Sequence, residues 1–121
     1  MKDFEIQIKE SSRELTKKEQ VNLKTSLNFA KMDEIAPFQF TPVDYAVLSV
    51  HNEHSKLNTD YDLYIFFADD GSIFSTGSTT FFRQFKTIWE NMKDEADWGL
   101  SVFKRDSKNY LGKTFLTCNL I

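Results

Sequence analysis

Lys104, Arg105, Lys108 and Lys113 are interleaved with Phe103, Tyr110 and Phe115 in the stretch SVFKRDSKNYLGKTFLTCNLI, Ser101 to Ile121. Cations neutralise phosphates and flat rings stack on bases, so this mixture suits a polymer that offers both, a nucleic acid. The segment carries four basic side chains against Asp106, a net +3, which leaves -6 for residues 1–100 because the whole chain is -3. A basic end on an acidic body can hold phosphate locally. A solvated strand edge is also rich in lysine, because lysine discourages edge pairing. Arg105 is the better phosphate and base contact, since a guanidinium pairs and stacks. Tyr110, beside Asn109 in a polar loop, either stacks on a base or folds back onto the fold's rim. Phe103 and Phe115 could face either side of their strands.

Other residue groups offer weaker chemistry. Thr76-Gly77-Ser78-Thr79 lies at a helix start, where free N–H groups attract anions, but an ordinary N-cap explains it and no phosphate-loop spacing is present. His51, Glu53 and His54 crowd one loop, yet no distant His completes a metal set. The Asp residues around 60–70 follow no calcium-loop pattern. Cys118 stands in an apolar strand pattern, the setting of an inert thiol, and as the lone cysteine it has no partner within the chain. No Ser, His and Asp trio stands in a recognisable motif. The sequence therefore reads as non-enzymatic, with no cofactor, no metal and no small-molecule substrate.

The elements that must position the basic stretch follow from periodicity. Phe4, Ile6 and Ile8 alternate with polar residues and predict a strand over 3–9. Thr16 and Glu19 have capping-box spacing before Val21, Leu23 and Leu27, which predicts a short helix. Pro37 and Pro42 make 36–43 extended or turning. Strands are expected at 45–50, 61–68 and 72–76, the last two joined by the Asp69-Asp70-Gly71 turn. The run LYIFF is apolar enough to be buried on both faces. Tyr64 and Phe66 share one side of it, and whichever side does not line the core could reach a groove. Phe81, Phe85, Ile88 and Met92 recur at helical spacing behind Ser78, giving a helix over about 79–93. Strands at 98–104 and 113–120 flank a loop at 105–112.

Residues 43–120 thus read β-β-β-α-β-β. This is the order of a five-stranded oligonucleotide/oligosaccharide-binding (OB-fold) barrel; an antiparallel sheet carrying one helix has the same order. The expectation is a mainly β protein with one or two helices: a single domain, 1–121, with an N-terminal extension at 1–40 and an OB-like barrel at 43–120. Ligands of that barrel use its second and third strands and the loops that fall here at 51–60 and 105–112. The candidate nucleic-acid contacts are Tyr64, Phe66, Phe103, Lys104, Arg105, Lys108, Asn109, Tyr110, Lys113 and Phe115.

The stretches DDGSIFSTGSTTFFRQFKTIWENM and SKNYLGKTFLTC resemble small OB-fold single-stranded-DNA-binding proteins of phages and conjugative elements of low-GC Gram-positive bacteria. The resemblance covers roughly the C-terminal half and implies a role in replication or transfer of a mobile element. It supplies no contact residues. The expected partner is single-stranded DNA, and the surplus of aromatics, twelve of them Phe, suggests a homodimer or larger homo-oligomer. The alternative is a protein–protein module such as a phage-encoded inhibitor or accessory factor, to which acidity and aromatic richness are equally suited; a small hydrolase or nuclease ranks last. No apolar run has membrane-spanning length and the N-terminus lacks a signal peptide's apolar stretch, so a cytoplasmic location is expected.

Overall fold

The computed structural model describes residues 4–25, 29–53, 59–107 and 112–121. Alternating Ile6 and Ile8 lie in strand β1, Phe4–Ser11, and the Thr16 capping box opens helix α1, Lys17–Thr25. The box closes both ways: the Glu19 N–H donates to Thr16 Oγ1 at 3.2 Å, and the Thr16 N–H to Glu19 Oε1 at 3.0 Å. Three short elements follow, β2 (Ala30–Lys31), α2 (Met32–Ile35) and β3 (Phe38–Phe40). Then come β4 (Pro42–Asn52), β5 (Asp60–Ala68), β6 (Ile73–Thr76), α3 (Thr79–Met92), β7 (Leu100–Asp106) and β8 (Thr114–Leu120). Gly71, at φ +90°, makes the β5–β6 turn, a backbone state that glycine adopts without penalty. Ser78 caps α3 by accepting the Phe81 N–H at 3.1 Å.

The strands divide between two sheets, ordered β1-β4-β5-β6-β2 and β3-β7-β8. Only Thr41 separates β3 from β4, so one nearly continuous strand serves both sheets. The chain is mainly β, as expected, with three helices among the described residues where one or two were expected, but neither sheet closes on itself and the expected five-stranded barrel is not formed. The reason lies at two edges. The outer edge of β6 is taken by β2, which pairs with it in parallel at Ala30–Phe74 and Lys31–Ser75. The free side of β8 lies against α3, where Thr117 Oγ1 donates to Gln84 Oε1 at 2.6 Å. Strands β6 and β8 therefore do not meet.

The run LYIFF is buried on both sides, as its composition predicts. On one side Tyr64, Phe66 and Ala68 join Tyr45, Phe81, Phe85 and Trp89, together with Leu100, Val102, Leu116 and Cys118 of the smaller sheet. On the other, Ile65 joins Ala46, Leu48 and Val50, and this core is sealed by Ile6, Leu15 and Leu23. The N-terminal extension thus supplies the cover of a second core. Of the stripe expected on α1, Leu23 is buried, Val21 is 54% exposed, and Leu27 lies outside the described residues.

Arg13 ties this cover down. Its guanidinium donates to Glu19 and, at 2.8 Å, to Asp44 Oδ2 of β4. Arg13, followed by the Thr16 N–H, holds the Glu19 carboxyl at about 2, well below its ordinary 4.5. A carboxylate with a depressed folded-state pKa stabilises above the unfolded value, and that contribution is lost as pH falls through the folded one. Glu19→Gln is therefore expected to be less stable than the parent at neutral pH in urea unfolding. The gap between the two should close as the pH is lowered from 4.5 towards 2.

Candidate nucleic-acid interface

Directly paired residues of antiparallel strands project from the same side of a sheet. In β7–β8 the pairs Leu100–Leu120, Val102–Cys118 and Lys104–Leu116 share one side, and Ser101–Asn119, Phe103–Thr117 and Arg105–Phe115 share the other. Leu100, Val102, Leu116 and Cys118 are buried, so theirs is the inner side. The outer side carries Phe103, Arg105 and Phe115 together. Gln39 of β3 pairs with Ser101 and extends this side across the third strand.

The outer side is a small mixed surface. Arg105 Cζ lies 5.5 Å from the centre of the Phe103 ring, so cation and ring form one platform. Phe115, directly across from Arg105, is 36% exposed although it is a large apolar side chain. Gln39, Arg105 and Asn119 are exposed, Ser101 and Phe103 are half-buried, and Thr117 is buried where Gln84 meets it. Neither β7 nor β8 places a carboxylate on this side, and Arg105 forms no ion pair with any described residue.

The ten sequence-predicted contacts divide accordingly. Phe103, Arg105 and Phe115 come together. Arg105, expected in a loop, is in β7, because pairing runs on to Asp106–Thr114. Lys104 is exposed but belongs to the inner row, past the point where the core ends. Lys113 is exposed next to β8, where its carbonyl accepts the Ser107 N–H at 2.8 Å. Lys108, Asn109 and Tyr110 lie outside the described residues. Tyr64 and Phe66 are corrected: they are 6% and 0% exposed, and neither reaches a groove. Their side of β5 is covered by α3, with the Tyr64 ring stacked on Phe82 at 4.3 Å and Phe66 edge-on to Phe85 at 4.6 Å.

Sequence reasoning missed Gln39, Ser101 and Asn119. Alternation within β7 and β8 puts Ser101 and Asn119 in phase with the aromatics. Gln39 between Phe38 and Phe40 carries the same signal, but its partner strand is set by tertiary pairing alone.

The other groups behave as structural parts. Thr76 Oγ1 donates to Asp33 Oδ1 at 2.7 Å beside the start of α3, so the cleft of about 650 Å³ lined there by Lys31, Tyr61 and Ser78 has carboxylates, Asp33 and Glu34, in its wall. That arrangement agrees with an N-cap better than with an anion site. Burial pushes the Cys118 thiol up to about 11, as expected of an inert cysteine. No metal-ligating cluster of three or more residues occurs among the described residues, and no helix there is long and apolar enough to cross a membrane. Compared with protein-family models, with curated proteins and with solved structures, the chain matches none.

Both ring nitrogens of His51 face carboxylates, Nδ1 to Asp60 at 2.7 Å and Nε2 to Glu53 at 3.5 Å. Asp60 above all, then Glu53, raises the His51 pKa above 6.5. A proton NMR titration should show one of the two histidines titrating above that value. In Asp60→Asn the same resonance should move down towards 6.5.

Proposed function

We propose that this chain is a non-enzymatic single-stranded-DNA-binding protein that grips the strand with the outer side of the β7–β8 hairpin. The observation that carries the reading is the joint placement of Phe103, Arg105 and Phe115 on one carboxylate-free sheet surface. Rings supply stacking, which tolerates any base, and Arg105 with Lys113 supplies attraction to the backbone, while Lys104, on the other side of β7, adds charge only from a distance. We read β3–β8 as an opened OB-like arrangement, since β3–β4 pairs with both β5 and β7 and α3 stands between β6 and β7. The resemblance of the C-terminal half to mobile-element proteins makes shielding of single strands during replication or transfer the natural role, in the cytoplasm. Self-association would lengthen the bound tract without further chemistry. A purely protein-binding module is the competing reading.

A salt titration separates them. Labelled oligo-dT should bind at low salt, and log K should fall linearly with log salt. Arg105→Ala should flatten that slope by about 0.7, the share of one phosphate contact on a single strand. Phe115→Ala should cost about 1–3 kcal/mol of affinity with little change in slope. Absence of binding at low salt would favour the protein-binding module.

A further inference from the structure

The outer side of the small sheet has two chemically different ends. At the hairpin end stand Arg105 and Phe115, with Phe103 in the next row. One row further, Gln39, Ser101 and Asn119 are in direct register across all three strands. Neighbouring strands are about 4.8 Å apart, so this polar row spans about 10 Å, and it lies about 7 Å along the strand from Phe103. None of the three side chains makes a hydrogen bond to a described residue, and none carries charge. Neutral amides add no charge to attract a backbone; they can hydrogen-bond a phosphate oxygen, but that contact uses only the donor. A base edge uses both groups, because an amide offers a donor and an acceptor side by side, the pattern that complements the edges of bases.

Resting on the single-strand reading above, we infer that the Gln39–Ser101–Asn119 row reads base edges and gives the protein a preference among bases. A base laid on Phe103 carries its hydrogen-bonding edge over this row while Arg105 and Lys113 hold the backbone at the hairpin end. The surface separates tasks by position: charge and stacking set affinity for any strand, and the uncharged row sets which base occupies the platform. The site is thus not the sequence-neutral groove that stacking alone would make.

The experiment compares fluorescence anisotropy of labelled dT, dA and dC homopolymers of equal length at several salt concentrations. The intact protein should separate its best and worst homopolymer by about ten-fold, within the range for one good amide–base contact. Gln39→Ala and Asn119→Ala should each shrink that ratio at least about three-fold and leave the salt slope unchanged. Arg105→Ala should do the reverse, lowering the slope and keeping the ratio. Asn119→Asp, which keeps shape but exchanges the donor for a negative charge, should lower overall affinity and also change the order of preference; it serves if Asn119→Ala fails to fold. Equal binding of all three homopolymers by the intact protein would overturn the inference while leaving the single-strand reading in place. So would amide variants that weaken every homopolymer alike. Loss of all binding at low salt would overturn both.

Discussion

The packing of Phe85 is the contact on which the rest depends. Its ring lies 4.6 Å from Phe66 of β5, 5.5 Å from Tyr45 of β4 and 5.7 Å from Trp89 one helical turn on. It is fully buried, in the cluster that also holds Leu100, Val102, Leu116 and Cys118. The helix is thereby pressed against the large sheet and beside β8, and the small sheet is anchored mainly by its inner side, with Thr117 of the other side tied to Gln84. Burial of rings of this size contributes on the order of 2–3 kcal/mol each. Lys86, the next residue, adds a polar clasp: its ammonium donates to Tyr45 Oη at 2.6 Å and to Glu10 Oε2 at 3.1 Å, joining α3, β4 and β1.

The outer side of the hairpin is left more open, with Thr117 alone of its described residues buried, where Gln84 meets it. An antiparallel sheet with one packed side normally shows polar residues on the other. Here Phe103 and Phe115 interrupt that rule: Phe115 is 36% exposed and Phe103 half-buried, with Arg105 lying over it. The large sheet shows the opposite chemistry where its inner side runs out into solvent: Asp60, Asp62 and Glu53 crowd around His51 and Lys9. The basic C-terminal segment and this carboxylate-rich part of the body thus stand on different sheets.

Much of this was legible in the sequence. Period-2 alternation located β1, β-forming runs and turn signals located β4 to β8, and period 3.6 behind Ser78 located α3 to within a residue. The capping box at Thr16–Glu19 and the Asp-Gly turn formed as their spacing dictates. Alternation says which residues share a side but not which strand is the neighbour, so the closure of a barrel was beyond its reach. The element that takes the edge of β6, Ala30–Lys31, is two residues long and carries no periodic signal. The same blindness misplaced Tyr64 and Phe66. Their side of β5 is covered by Phe82 and Phe85 of α3, a contact set by tertiary packing, while Leu15 and Leu23 cover the opposite side around Ile65. Of the proposed site, the aromatic and cationic residues were visible and the polar row that completes the surface was not.

The most direct test of the central claim is the footprint of a bound strand. Backbone amide shifts of labelled protein should be recorded with and without a short oligo-dT at low salt. The account predicts the largest changes at Gln39, Ser101–Arg105 and Phe115–Asn119, with His51, Asp60 and Asp62 unmoved. Changes centred on the acidic end of the large sheet, or none at saturating oligonucleotide, would contradict it.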